Sequence, residues 1–156
     1  MKLANVDLKV ISANIFWNSD RPELKHYILS GGVEAERVIS WVYNTSCSNP
    51  EIIIGDCESI LTRQLSHKKT GLNSSLGVLY SVHEQTGIEN LAEIKDEWDF
   101  NNCTFLPIED LIKVINKFVS LYQGQKEGNI TFSAYSIGPE LRADLDSFNE
   151  NKEPLI

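Results

Sequence analysis

Hydrophobic and polar positions alternate near the N-terminus of this chain of 156 residues. A period of two is typical of a strand with one buried face, so the pattern predicts a strand over 5–17. One face of that strand is formed by Val6, Leu8 and Val10. The same alternation predicts further strands over 77–83 and 129–135.

Two other segments favour strands by composition. Residues 37–44 are rich in β-branched and aromatic side chains, and 51–55 contains three consecutive isoleucines. Turn-forming residues fill 45–50 between them. Together these features predict a β-hairpin over 37–55.

A period close to 3.6 residues marks the clearest helix, over about 107–123. Pro107 lies in its first turn, and the acidic side chains of Glu109 and Asp110 complement the positive end of the helix dipole. Gly124 follows the last turn and is suited to end the helix.

Shorter helices are predicted elsewhere. Ser19 begins a short helix or turn that includes Tyr27 and Ile28, while Asp56 and Pro139 each begin another short helix. The segment 86–98 permits two interpretations. Its apolar spacing favours a helix with acidic side chains on the exposed side, and the alternative is an acidic loop between strands.

These elements predict an α+β fold. We expect a mostly antiparallel sheet packed against one long amphipathic helix (about 107–123), with shorter helices beside it. The length of the chain indicates a single domain. We expect that domain to span 1–148, and 149–156 to form a frayed C-terminal tail.

The net charge of −8 is concentrated in 84–110, where eight acidic residues face a single lysine. An acidic surface repels nucleic acid phosphates and attracts basic protein surfaces. The segment also contains Trp98, Phe100 and Phe105, which can anchor a partner or belong to the core; we expect Trp98 to be at least half buried. The candidate partner-binding residues are Glu89, Glu93, Asp96, Glu97, Trp98 and Asp99.

Candidate catalytic groups are sparse. The three histidines and three cysteines are scattered without the spacing of metal ligands. Cys57 would be a nucleophile if a helix N-terminus lowered its pKa, but its acidic neighbours oppose that shift. We therefore expect no enzymatic activity, no metal and no cofactor. The chain lacks an apolar leader and any apolar run long enough to span a membrane, which predicts a cytoplasmic protein without a membrane partner.

A resemblance sharpens the prediction of a protein partner. In 105–118 an apolar residue and a proline lead into an amphipathic helix, and a short strand that includes Ile130, Thr131 and Phe132 follows. This ending resembles that of several immunity proteins of bacterial toxin systems, including contact-dependent growth inhibition. The resemblance implies a protein that binds and blocks a cognate toxin domain with a basic surface, such as a nuclease. It implies no individual site residue.

Two other function classes stay open. An acidic protein can mimic DNA and inhibit a host DNA-binding protein, provided that its carboxylates follow phosphate spacing along an extended surface. A small enzyme or ligand-binding domain would instead contain an apolar pocket on which Cys57, His83 or His26 converges.

Overall fold

Six antiparallel strands and three helices form the described part of the chain. The computed structural model describes residues 8–17, 20, 27–47, 49–62, 77–82, 89–96, 98–99 and 102–137. The strands are β1 (Lys9–Trp17), β2 (Tyr27–Ser30), β3 (Gly77–Val82), β4 (Glu89–Lys95), β5 (Cys103–Pro107) and β6 (Gly128–Ile137). The helices are α1 (Val33–Ser46), α2 (Pro50–Leu61) and α3 (Ile108–Gly124). The predicted α+β class and antiparallel sheet are confirmed.

The strands lie in the order β2-β1-β6-β5-β4-β3. β6 joins the two halves of the sheet, because β1 pairs with its first part and β5 with its last three residues. The register places Ile11 opposite Phe132 and Ala13 opposite Ile130, so these buried side chains share the face that the helices cover.

The predicted helix over 107–123 is present as α3. Its buried side chains recur at helical spacing, and the helix ends where Gln125 adopts a left-handed backbone conformation. α3 contacts both other helices and the strands β4, β5 and β6. The predicted predominance of one long helix is not confirmed, because α1 and α2 have 14 and 12 residues against 17 in α3.

An aromatic cluster fixes the ends of β1 and β2 against α1 and α3. The ring of Phe118 lies 5.6 Å from that of Tyr27 and 6.2 Å from that of Trp17, measured between centroids. Tyr43 and Tyr122 complete the cluster. The indole N–H of Trp17 donates a hydrogen bond of 2.8 Å to the carbonyl of Lys126, which ties β1 to the segment after α3.

The face of the sheet opposite the helices is buried over only part of its extent. Around β4 and β5, this second face contains Leu91, Cys103, Phe105 and Tyr135, all of them buried. Around β1 the same face is exposed, including Val10 and Phe16. The strand predicted over 5–17 is therefore confirmed for 9–17, but Leu8 and Val10 lie on its exposed face.

The hairpin predicted over 37–55 is wrong, because α1 and α2 occupy this segment. The buried residues of α1 include Ala35, Val38, Ile39 and Val42, which share one helical stripe. Burial of that stripe outweighs the β propensity of the individual residues. α2 begins at Pro50 rather than at Asp56, since proline fits the first turn of a helix.

Two other predicted elements differ from the structure. The segment expected as a helix over 86–98 contains the strand β4, and Tyr27 and Ile28 lie in β2 rather than in a short helix. β4 shows no alternation because both of its faces are buried between Leu91 and Ile94. The predicted helix after Pro139 and the frayed tail 149–156 lie outside the described residues.

Two glycines provide a matched test of the packing. A Cβ atom on Gly77 would overlap the indole of Trp41, whereas one on Gly55 would meet nothing within 4 Å. We expect Gly77→Ala to lower the free energy of unfolding by about 1–3 kcal/mol through overpacking. Gly55→Ala should raise it by about 0.5–1 kcal/mol, because alanine restricts the unfolded chain and favours the helix. Urea denaturation measures both changes; equal effects would contradict the packing of β3 against α1.

Candidate interaction site at the β4–β5 turn

The turn between β4 and β5 contains an exposed tryptophan. Trp98 is 89% exposed, the highest value among the large hydrophobic side chains described as exposed. The expectation that Trp98 is at least half buried is therefore wrong. Asp99 beside it is exposed as well, while Glu97 and Phe100 lie outside the described residues. An exposed indole with a neighbouring carboxylate has the composition of a binding anchor with a charged rim.

Hydrogen bonds fix the backbone of this turn. The N–H of Asp96 donates to the carbonyl of Asn102 at 2.9 Å, and the N–H of Asn102 donates to the carbonyl of Asp99 at 3.0 Å. The side-chain amide of Asn102 also donates to Oδ2 of Asp99 at 2.7 Å. The N–H of Trp98 donates to Oδ1 of Asp96 at 2.9 Å. These hydrogen bonds connect the described residues of the turn that presents the indole, at 96, 98, 99 and 102.

Arg37 connects this turn to the helical layer. Its Nη2 lies 3.5 Å from Oδ2 of Asp96, and its Nη1 donates a hydrogen bond of 2.7 Å to Oγ1 of Thr104. The side chain of Arg37 is only 7% exposed, so its charge is shielded from solvent and its attraction to Asp96 is stronger than between surface groups. The Asp96 carboxylate therefore binds the N–H of Trp98 through Oδ1 and the guanidinium of Arg37, on α1, through Oδ2.

Sequence reasoning did not identify Arg37 as part of this site. Arg37 was placed in a predicted strand, and a single arginine 59 residues before Asp96 gives no signal of their contact. Only the packing of α1 on β4 and β5 brings the two side chains together.

Glu93 was predicted to lie on an exposed acidic side, and the structure corrects this. The residue is 4% exposed. It lies on the second face of the sheet, opposite Phe105 on the neighbouring strand. Its Oε1 is 3.7 Å from Nζ of Lys95. A carboxylate in this position belongs to the interior of the fold and is not available to steer a partner.

The rest of the acidic segment 84–110 is also dispersed. Glu89 and Glu109 are exposed, but Asp110 accepts a hydrogen bond of 2.7 Å from the N–H of Ser133 and so joins α3 to β6. Phe105, expected near the acidic surface, is buried. Within the described residues, the acidic side chains of this segment therefore do not form one continuous surface. Glu89 lies at the start of β4, and Asp99 lies in the turn beyond the other end of that strand.

The structure gives little support to nucleophilic chemistry at Cys57. The thiol is fully buried in the middle of α2, distant from the N-terminus of that helix. Burial, with smaller contributions from Asp56 and Glu58, raises the pKa of Cys57 to about 12. The thiol is therefore protonated at neutral pH.

The described residues offer neither a cluster of metal-binding side chains nor a membrane-spanning helix. No group of three or more His, Cys, Asp or Glu side chains there is placed to hold a metal ion. In that same part of the chain, no helix has the length and apolar character needed to span a membrane. His26, His67 and His83 lie outside the described residues.

Removal of the Asp96 carboxylate tests the ordered turn. In Asp96→Ala, the N–H of Trp98 loses its acceptor and the guanidinium of Arg37 loses an ionic partner. We expect the free energy of unfolding to fall by about 1–2 kcal/mol and hydrogen exchange at the amide of Trp98 to accelerate. Glu89→Gln, an exposed change on β4, should alter stability by less than about 0.5 kcal/mol. Unchanged exchange at Trp98 in the Asp96 variant would show that the turn does not depend on this carboxylate.

The raised pKa of Cys57 predicts a dependence of stability on alkaline pH. Below pH 9 the thiol is protonated in both the folded and unfolded chain, and its contribution is complete. As pH rises above 9, the unfolded chain releases the proton while the folded chain retains it, so this contribution falls by about 1.4 kcal/mol per pH unit up to about pH 12. The stability difference between the wild type and Cys57→Ala should therefore shrink by about 1 kcal/mol between pH 9 and pH 10, because the unfolded thiol is only half ionised at pH 9. Urea denaturation at both pH values measures it, and a constant difference would contradict the shift.

Comparisons with known proteins found no match: no family model, no curated protein and no solved structure is similar to this chain.

Proposed function

We propose that this protein is a non-enzymatic immunity protein that binds and blocks a cognate toxin domain with a basic surface. The observation that supports the proposal is the presentation of Trp98, 89% exposed, on a turn with a hydrogen-bonded backbone. Large aromatic side chains at the centre of an interface often provide most of its binding energy. An indole that is 89% exposed contributes little to the packing of its own chain, which leaves it available for binding.

The exposed carboxylates of Asp99 and Glu89 supply electrostatic attraction over different distances. Asp99 adjoins Trp98, whereas Glu89 lies at the opposite end of β4 from the turn, about 20 Å away along the strand. Rim charges of one sign accelerate association with a surface of opposite charge, and salt weakens that effect. The predicted partner-binding set thus becomes narrower: Trp98 is the anchor, Asp99 is the steering residue beside it, and Glu89 contributes charge from the far end of β4. Asp96 orders the turn, and Glu93 is interior.

A nuclease fits this charge as the blocked toxin. Enzymes that act on nucleic acids bind phosphates with basic residues. Carboxylates held at the edge of such a cleft compete for the same cations, and a rigid aromatic anchor fixes the inhibitor in place. The inhibitor would then act stoichiometrically by excluding the substrate, without any chemical step of its own.

The first test uses the C-terminal domain encoded by the reading frame immediately upstream of this gene. Co-expression with this chain should relieve the toxicity of that domain, and the two purified proteins should form a stoichiometric complex. Trp98→Ala should weaken binding by at least about 30-fold, which corresponds to the 2 kcal/mol of a strong anchor residue. Calorimetry measures the dissociation constant. Val10→Ala, a truncation on the exposed sheet face, is the matched control and should leave it unchanged. A domain that neither binds nor is neutralised would overturn the proposal.

The second test reverses the steering charges. Glu89→Lys with Asp99→Lys should lower the association rate constant by about tenfold or more at low salt. The dissociation rate should change less, because rim charges act mainly on the encounter. Stopped-flow fluorescence at several salt concentrations measures both rates. An association rate that does not depend on salt or on these two substitutions would exclude electrostatic steering by this surface.

A further inference from the structure

A groove of about 500 Å³ runs along the surface between α2 and α3. Its lining comes from two stripes, each with the helical spacing of two turns. On α2 the stripe consists of Glu51, Ile54, Gly55 and Glu58, with Pro50 at its end, and on α3 of Asn116, Val119, Ser120 and Gln123. The groove therefore follows the helices and is about 10 Å long, given a rise of about 1.5 Å per residue.

The absence of a side chain at Gly55 makes the centre of this groove accessible. A Cβ atom there would meet no heavy atom within 4 Å, so the space above the backbone is open. Glycine inside a helix lowers the stability of the folded protein by about 0.5–1 kcal/mol relative to alanine. Packing within the described residues does not require a glycine at position 55. A glycine there does, however, leave room for a ligand group between Ile54 and Val119.

The charges of the groove select the occupant. Glu51 and Glu58 lie two helical turns apart on one side, while the α3 side contributes amides and a hydroxyl. α2 contains three acidic residues and no basic one. Lys113 and Lys117 of α3 do not line the groove. A cation is therefore attracted to both ends of the α2 side, with an apolar surface between them.

We propose that this groove binds a basic helical segment of a partner protein. Lysine or arginine side chains seven residues apart would face Glu51 and Glu58, and an apolar side chain between them would lie over Gly55. This arrangement is the helix-in-groove mode of recognition, in which spaced side chains on one helical face supply the contacts. The inference rests on the groove alone and does not depend on the proposed function or on the turn that contains Trp98.

The experiment uses a synthetic helical peptide as its probe. The peptide is about 16 residues long, so that it can be helical in water, and has lysine at positions five and twelve, leucine at position eight and alanine elsewhere, with both ends blocked. Titration into the ¹⁵N-labelled full chain should shift the amide signals of Ile54, Gly55 and Ser120. A control peptide with glutamate in place of both lysines should shift none of them. If the lysine peptide at millimolar concentration produces no shifts in these signals, the proposal is overturned.

Two variants test the shape and the charge of the groove separately. Gly55→Leu fills the groove and should weaken peptide binding at least tenfold, whereas its thermal midpoint should not fall because the position is open. Glu51→Gln with Glu58→Gln keeps the shape of the groove and should weaken binding at least threefold. This double variant keeps the test valid should the leucine variant fail to fold. Unchanged affinity in both would overturn the proposal.

A last comparison separates this inference from the proposed function. Trp98→Ala should bind the peptide as tightly as the wild type does, because its side chain does not line the groove. A failure of the upstream domain to bind would reject the toxin-blocking function and leave the peptide result intact. Conversely, if the toxin domain binds normally but the peptide does not bind to the groove, only the inference about the groove is rejected.

Discussion

Burial of the apolar side of α3 is the constraint on which the rest of the structure depends. The helix contacts α1, α2 and three strands, and its Phe118 joins the aromatic cluster that fixes the ends of β1 and β2. A fully buried phenylalanine contributes about 1.5–3 kcal/mol through its removal from water, with a further contribution from each ring contact. Because α1 and α2 both pack on α3, the position of this one helix decides where the groove lies and where α1 meets β4 and β5.

Arg37 transmits that constraint to the candidate site. A guanidinium that is 7% exposed needs acceptors: Nη1 and Nη2 of Arg37 find them in Thr104 and Asp96, at the base of the turn, while Nε is buried without a partner among the described residues. The same Asp96 carboxylate accepts the N–H of Trp98. The backbone that presents the exposed indole is thus connected to the helical layer through two side chains. Hydrogen bonds that restrict a turn in the free protein reduce the conformational entropy it loses on binding, which favours its use as an anchor.

The sequence predicts elements correctly where one face is buried and the other exposed. β1 and α3 have such faces, and the period of their apolar residues identified them. The pattern is misleading in two situations. In α1, β-branched and aromatic residues such as Val38, Ile39 and Trp41 suggested a strand, although the buried positions have helical spacing. In β4 both faces are buried, so the alternation that marks a strand is missing. The Arg37 contact is non-local and carries no signal in the sequence.

The acidic segment shows why charge along a sequence is a weak guide to charge on a surface. In a strand, neighbouring residues point to opposite faces, so consecutive carboxylates cannot all face one partner. Glu93 is interior, Asp110 holds the N–H of Ser133, and Asp96 is engaged by Arg37 and Trp98. These three carboxylates are therefore used within the fold, and the exposed carboxylate of Asp99 also accepts a hydrogen bond from the amide of Asn102. What attracts a partner is the smaller set that the fold leaves in solvent, together with acidic residues such as Glu51 and Glu58 that lie outside the segment. The charges available to attract a partner are therefore those that remain exposed once the chain has folded.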